Sequence, residues 1–162
     1  MSTTTPVVIT RIFNAPVEKV WAAWTEPELI KKWWGPKDFT APEVKVDLRV
    51  GGKYLYCMHG RPGPEMPAQD FWSTGTYEEI VPLQKLVCSD SFSDAEGNVV
   101  PASTYGMEDF PDVLRVTIEF ERLSDGKTKM TLTHEGAPSG EHASNMETGW
   151  NQSFDKLAES LA

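Results

Sequence analysis

The residues with the clearest capacity for acid–base chemistry are a histidine and an aspartate on two separate stretches of alternating polar and apolar residues. His134 shares its parity with Leu132, which places the imidazole on the presumed inner face of a sheet. Asp90 shares its parity with Cys88 and Phe92 on another stretch. A buried histidine and aspartate in one cavity could act as an acid–base pair. The alternative is a histidine at a cavity rim, or one whose nitrogen atoms bind a backbone group.

Other signatures of catalysis or cofactor binding are missing from the sequence. It has no glycine-rich phosphate loop, no G-x-S-x-G elbow, no H-E-x-x-H and no C-x-x-C. His59, His134 and His142 do not have the spacing of metal ligands. We therefore expect no cofactor and no metal, and only His134 and Asp90 remain as candidate catalytic residues.

Large aromatic and apolar side chains give a second functional indication. Rings bury much area, and the polar atoms of Tyr and Trp suit a mostly apolar pocket with a few orienting groups. Ordinary core packing is the alternative for many of these side chains and stays open. The expected ligand-binding residues are Trp34, Tyr54, Tyr56, Met58, Trp72, Cys88, Phe92, Met107, Ile118, Phe120, Leu132, His134, Met146, Trp150 and Phe154.

Length and charge restrict the class of protein. The 162 residues predict one domain, 1–162, large enough to build a core without disulfides. Fifteen Lys and Arg against 24 Asp and Glu give a net charge of −9, which disfavours nucleic acid and anionic membranes as partners. No apolar run reaches the ~18 residues of a membrane span. Cys57 and Cys88 are expected to be free and buried, and the N-terminus does not resemble a secretory signal, so we expect a cytoplasmic protein.

The elements that must position these residues follow from hydrophobic periodicity. A strand is predicted over 7–13, and two helices follow, the second carrying Trp33 and Trp34 and closing at Gly35-Pro36. Six stretches with strand character come next, with a two-residue hairpin turn predicted at Gly51-Gly52. Two polar segments, 60–70 and 93–112, are predicted to be loops that gate a cavity.

The chain is predicted to end in a helix over 141–161. Its apolar residues step by three or four, so they form one stripe that must lie on a sheet. Gly149 lies beside the stripe, and a glycine within a helix costs about 1 kcal/mol relative to alanine. It indicates a close approach by another backbone or a bound molecule, or else neutral drift at a tolerant site. The expected fold is α+β, in the order β-α-α-β6-α, with a curved seven-stranded antiparallel sheet wrapped around the long helix.

This order of elements, together with several short motifs, resembles the START-like (SRPBCC) superfamily, and within it the heat-shock protein 90 ATPase activator-like family. The resemblance covers about residues 7–161. The residues that carry it are Ala15-Pro16, Val20-Trp21, Trp33-Trp34-Gly35-Pro36, Asp47, Arg49, Gly51-Gly52, Gly75-Thr76-Tyr77-Glu78-Glu79-Ile80, Lys127-Thr128-Lys129-Met130-Thr131-Leu132 and Gly149-Trp150-Asn151-Gln152-Ser153-Phe154-Asp155-Lys156-Leu157.

The resemblance implies a helix-grip fold whose last helix closes a deep cavity. Members of the superfamily bind lipids, steroids, polyketides and other apolar molecules, and some are cyclases or hydrolases. We therefore expect the partner of this protein to be a small apolar ligand. We expect the protein itself to be a monomer or a homodimer. Two alternatives stay open: a chaperone-linked interaction module of the stress response, and an enzyme that uses His134 and Asp90. The sequence begins at the fold without the chaperone-binding domain of the activator proper, so chaperone activation is not expected.

Overall fold

The architecture follows from a computed structural model that describes residues 6–61, 64–105, 110–138 and 140–161. Ten helices and strands carry the fold within these ranges. They are β1 (Val7–Phe13), α1 (Val17–Thr25), α2 (Pro27–Ile30), β2 (Thr40–Val46), β3 (Lys53–Gly60), β4 (Gln69–Val81), β5 (Lys85–Ser93), β6 (Leu114–Arg122), β7 (Thr128–Glu135) and α3 (Glu141–Leu161). The predicted order β-α-α-β6-α and the α+β class are confirmed.

All seven strands form one curled antiparallel sheet in the order β1-β7-β6-β5-β4-β3-β2. The first strand pairs with the last, so that Val7 lies opposite His134. Along β6 the side chains alternate between buried apolar and exposed polar residues from Leu114 to Phe120. This alternation is the signature of a strand with one face on the core. The core between the sheet and α3 therefore forms along a single continuous face.

The helix α3 packs on the concave face of the sheet through the predicted apolar stripe. Phe154 and Leu157 are fully buried, and Lys156 fastens the helix to the segment after α2. Its Nζ atom donates to the carbonyl oxygens of Trp34, Pro36 and Phe39 at 3.4, 3.2 and 3.1 Å. These three contacts hold one wall of the cavity described below.

The second helix is shorter than predicted. It ends at Ile30, and Trp33 and Trp34 lie in the turn that follows. The turn lets Trp33 pack edge-to-face on Trp24 at 4.7 Å and donate its indole N–H to the Ala23 carbonyl at 2.9 Å. Burial of these rings outweighs continuation of the helix, and Gly35 adopts the predicted left-handed conformation with a φ of 98°.

The connection from β2 to β3 is also longer than predicted, because it runs over residues 47–52 and not through a two-residue turn. The two glycines instead reach β4, where the Gly51 N–H donates to the Tyr77 carbonyl and the Tyr77 N–H donates to the Gly52 carbonyl. A Cβ on Gly52 would lie 2.2 Å from the Asp47 carbonyl oxygen, so only glycine fits there.

The longer of the two predicted loops is partly structured. The long polar segment 93–112 contains local structure: Val99 forms a β-bridge with Ser93, and a single turn of 3₁₀-helix runs over Ala102–Tyr105.

Cys57 and Cys88 are free and buried, as predicted. No helix among the described residues is long and apolar enough to cross a membrane.

Candidate functional site

A cavity of about 310 Å³ lies between the concave face of the sheet and the first half of α3. We call it the main cavity. Most of its wall is apolar, and its polar groups are concentrated on β5, β7 and α3. The described residues that line it are Trp34, Gly35, Pro36, Met58, Ser73, Asp90, Ser91, Phe92, Phe110, Pro111, Leu114, His134, His142, Asn145, Met146, Gly149, Trp150 and Ser153.

The two candidate acid–base residues come together at the inner end of the main cavity. Asp90 is on β5 and His134 is on β7, with β6 between them. The His134 Nε2 atom lies 3.0 Å from the Asp90 Oδ2 atom. The direction of the approach falls outside hydrogen-bond geometry, so Nε2 has no aligned acceptor among the described residues. The two side chains are therefore in close contact without an aligned hydrogen bond, and Asp90 can still accept hydrogen bonds from other donors.

Trp150 fixes the tautomer of His134. Its indole Nε1–H donates to the His134 Nδ1 atom at 3.0 Å. An indole can only donate, so Nδ1 is the acceptor, and the proton of a neutral imidazole is on Nε2, which faces Asp90. The His134 side chain is only 5 % exposed, whereas that of Asp90 is 25 % exposed. Asp90 is therefore the member of the pair that a bound molecule can reach.

A phenol completes the polar cluster around Asp90. The Tyr54 hydroxyl lies 3.1 Å from the Asp90 Oδ1 atom and 3.0 Å from the Ser89 carbonyl oxygen. Burial, followed by the negative charge of Asp90, raises the pKa of Tyr54 well above its ordinary value of 10.0. Tyr54 is therefore a neutral donor at physiological pH, and it holds the carboxylate in place.

Behind this cluster is a much smaller inner cavity of about 30 Å³. Tyr54 and Tyr56 stack along one side of it, with ring centroids 4.4 Å apart. Cys88 lies beside them, and burial, followed by the charge of Asp90, raises the pKa of its thiol far above the ordinary value of 9.0. This thiol is protonated and unreactive at neutral pH. The inner cavity is too small for an organic molecule of ordinary size.

The expected ligand-binding residues are divided between the two cavities, the core and other positions. The main cavity is lined by Trp34, Met58, Phe92, His134, Met146 and Trp150. The inner cavity is lined by Tyr54, Tyr56, Cys88 and Ile118, and also by Trp34 and Trp150. Phe120, Leu132 and Phe154 are buried in the core and line neither cavity. Met107 lies outside the described residues, and Trp72 lines neither cavity.

Trp72 is not brought to either cavity. It directly precedes Ser73, which lines the main cavity, and neighbouring residues on a strand point to opposite faces. Its cross-strand partner is Cys57, which lies outside the inward parity of Tyr56 and Met58. The bulk of the ring made Trp72 a candidate, but strand parity places it on the other face of the sheet.

Several lining residues were not among those expected from the sequence. On α3, His142 lies four positions before Met146 and Asn145 lies four positions before Gly149, so helical spacing could have identified them. Phe110 and Pro111 come from the long polar segment and line the main cavity, as a gating segment would. Residues 106–109 and 62–63 of the two expected gating loops lie outside the described residues.

Gly149 lines the main cavity, and among the described residues no backbone atom from outside its own helix lies within 4 Å of a Cβ built on it. A Cβ built on it would meet only the Pro36 Cγ atom, at an ordinary contact distance of 3.7 Å. Close packing against a neighbouring backbone therefore does not explain this glycine. Of the interpretations offered by the sequence, space for a bound molecule and neutral drift remain.

Among the described residues, no group of three or more His, Cys, Asp or Glu side chains is arranged to hold a metal ion. The polar cluster at the inner end of the main cavity consists of Asp90 and His134, which line the main cavity, and Tyr54, which contacts Asp90 from the inner cavity. This set can accept and donate hydrogen bonds to a bound molecule, with Asp90 as the reachable acceptor.

Comparisons with known proteins agree with the fold. The family model described as "Activator of Hsp90 ATPase homolog 1-like protein" matches residues 14–162. A crystal structure of a Chromobacterium violaceum protein is similar at 28% identity and a TM-score of 0.76, with 96% of both chains covered. A Nitrosomonas europaea protein gives 27% identity and a TM-score of 0.72, covering 96% of this chain and 93% of that one. A search of curated proteins finds no match.

Proposed function

Because the chain belongs to the Activator of Hsp90 ATPase homolog 1-like family, a family with ligand-binding or chaperone-related roles, we propose that it binds a small, mainly apolar molecule in the main cavity. The observation that carries the proposal is the cavity itself. Its volume of about 310 Å³ is within the range of ~300–1,000 Å³ typical of ligand sites. The free, buried cysteines support a reducing compartment such as the cytoplasm.

The arrangement of the wall supports binding of an organic molecule. Trp34 and Trp150 meet edge-to-face at 5.5 Å and form one side, and Met58 and Met146 lie half-buried around them. Methionine side chains adapt to irregular shapes, and aromatic rings offer large flat contact areas. Burial of apolar ligand surface against these groups supplies about 25 cal/mol per Å² before the cost of immobilising the ligand.

The test is a titration with Nile red, a neutral apolar fluorescent probe, on a pair of variants at one position. Gly149→Leu places a branched side chain in the main cavity and should weaken probe binding about tenfold or more. Gly149→Ala adds one methyl group at a permitted distance and should leave binding nearly unchanged. Native mass spectrometry of gently purified protein should also show a co-purified molecule, which Gly149→Leu should lose. Equal probe binding by wild type and Gly149→Leu would overturn the proposal.

The contact between Asp90 and His134 favours a second candidate, an enzyme of the cyclase or hydrolase type. Because both nitrogen atoms of His134 are turned toward protein groups, Asp90 would receive the substrate proton and His134 would position it. A turnover screen with polyketide-like and ester substrates tests this. Activity should fall strongly in Asp90→Asn and less in His134→Ala, and unchanged activity in both variants would remove the pair from any mechanism.

The family match favours one more candidate, a chaperone-linked interaction module. Such a module needs an exposed apolar surface, and the outer face of β1 provides Val8 and Ile12, which are 57% and 60% exposed. A pull-down with the chaperone and an ATPase assay test this candidate. If stimulation of the chaperone ATPase is lost in the double variant Val8→Asp/Ile12→Asp and retained in Gly149→Leu, the activity depends on this surface and not on the main cavity.

A further inference from the structure

The charge of the main cavity restricts the class of molecule that can bind there. Asp90 is the only Asp, Glu, Lys or Arg among its described lining residues. The nearby Lys156 ammonium group is turned away, toward the carbonyl oxygens of Trp34, Pro36 and Phe39. A negatively charged ligand group would therefore find no Lys or Arg partner in the described wall and would face a carboxylate.

The carboxylate of Asp90 has unused capacity to accept hydrogen bonds. A carboxylate offers about four lone-pair positions. Among the described residues, only the Tyr54 hydroxyl makes an aligned side-chain hydrogen bond to it, at Oδ1. The Oδ2 atom faces His134 Nε2 without alignment, and one quarter of the side chain is exposed to the cavity. A donor on the ligand can therefore complete the coordination of Asp90.

The neighbouring polar groups do not compete for this role. The indole N–H of Trp150 is occupied by His134 Nδ1, and the Nε2 atom of His134 faces the Asp90 carboxylate, so neither donor is turned toward a ligand anion. The remaining polar groups of the lining residues are neutral hydroxyl and amide side chains, His142, and the buried Trp34 indole N–H, which is neutral and has no hydrogen-bond partner among the described residues. Neutral hydroxyl and amide groups can hydrogen-bond to many ligands, but they do not offset the cost of burying an unpaired anion. Among the described residues, the titratable groups that face Asp90 are Tyr54 and Tyr56 on β3, Cys88 on β5 and His134 on β7.

We propose that the main cavity selects apolar molecules that carry a hydrogen-bond donor, such as a phenol, an alcohol or an amine, and rejects carboxylic acids and other anions. The donor binds Asp90, and the apolar part of the molecule lies against the wall formed by Trp34, Met58, Met146 and Trp150. This inference rests on the proposed function and adds the chemical class of the ligand. It separates neutral lipids, sterol-like alcohols and phenolic compounds from free fatty acids.

The experiment is competition against Nile red at neutral pH with three compounds that share one skeleton. Para-pentylphenol has a donor, para-pentylanisole has the same ring without a donor, and para-pentylbenzoate is an anion. The phenol should displace the probe at about tenfold lower concentration than the anisole, the expected effect of one hydrogen bond to a charged group, and the benzoate should be the weakest. Para-pentylbenzylamine should compete at least as well as the phenol.

The variant Asp90→Asn should reduce the difference between the phenol and the benzoate by about tenfold. Glu121→Gln, an exposed change on β6 away from the cavity, removes the same charge and should leave the order unchanged. Equal competition by phenol, anisole and benzoate in the wild type would overturn the inference while leaving apolar binding intact. Failure of Nile red and of every compound to bind would overturn the proposed function and the inference together. The wild-type comparison needs no variant, so it remains decisive if Asp90→Asn folds poorly.

Discussion

The indole N–H of Trp150 on α3 donates a hydrogen bond to the Nδ1 atom of His134 on β7, across 3.0 Å. This contact joins the closing helix to the sheet at the point where the main cavity meets the polar cluster around Asp90. It occupies one nitrogen of a histidine that is almost completely buried. One hydrogen bond thus sets the tautomer of the imidazole and the position of a tryptophan that lines the cavity.

Changing Trp150 to Phe should therefore destabilise the protein beyond the loss of ring volume. The Nδ1 atom of His134 would be buried without a donor, which costs ~1–3 kcal/mol in the free energy of unfolding. Urea denaturation measures this loss. Trp21→Phe is the matched control, because the Trp21 indole N–H makes no hydrogen bond to another described residue and its ring packs on Phe120. Equal losses in the two variants would show that the hydrogen bond contributes nothing.

Changing Lys156 to Met should loosen the wall of the main cavity formed by residues 34–39. The ammonium group donates to three carbonyl oxygens, and burial lowers the pKa of Lys156 from its ordinary value of 10.5. We expect a loss of ~1–3 kcal/mol in stability. Hydrogen exchange should become faster in 34–39 while the central strands stay protected. The control is Lys19→Met, an exposed change on α1, which should leave both quantities unchanged.

Residues of the cavity wall and residues of the core should respond differently to truncation. Phe154→Ala removes a fully buried ring and should cost ~3–5 kcal/mol in stability. Met146→Ala removes a half-buried side chain from the cavity wall and should weaken Nile red binding with a much smaller loss of stability. Parallel titration and denaturation of the two variants checks this. A comparable loss of stability in Met146→Ala would assign this part of the wall to the core.

The protein should lose stability as the pH rises above about 9. Burial raises the pKa of Cys57 from 9.0 to about 11 and raises that of Tyr56, Tyr77 and Cys88 further. The unfolded chain therefore releases these protons first, and each group lowers the free energy of unfolding by up to ~1.4 kcal/mol per pH unit above its unfolded pKa.

The lowered pKa of Lys156 acts in the opposite direction, but it is one group against several. Denaturation curves between pH 8 and pH 11, a window set by the pKa values above, measure the slope. In Cys57→Ala the loss of stability should become less steep where it begins, near pH 9. A stability that stays constant up to pH 11 would contradict the prediction.

Much of the fold could be predicted because hydrophobic periodicity reports which face of an element is buried. The bounds of β1 and α3 agree with the sequence pattern, and parity placed His134 and Asp90 on the inner face. The end of α2 could not be predicted, because the packing of Trp33 on Trp24 is a tertiary contact. Local propensity favours a longer helix, and long-range burial overrides it.

The candidate site could be predicted only in part, and for a different physical reason. Aromatic character indicates burial but does not distinguish a cavity wall from a solid core, so Met146 and Phe154 looked equivalent in the sequence. Their exposures differ in the structure, because the fully buried side chains of α3 lie in its second half, whereas Met146 lies in the half that lines the main cavity. The distance between two packed layers depends on the sum of many side-chain volumes, which no single position encodes.

The pairing of β1 with β7 has a consequence for how the protein forms during translation. The strand Val7–Phe13 is synthesised before its only partner in the described sheet, Thr128–Glu135, which lies more than a hundred residues further along the chain. Until those residues are made, β1 has no partner strand in the described sheet, and an unpaired strand edge exposes a folding chain to aggregation. The same strand carries His134, so the polar end of the main cavity forms only once β7 has joined the sheet.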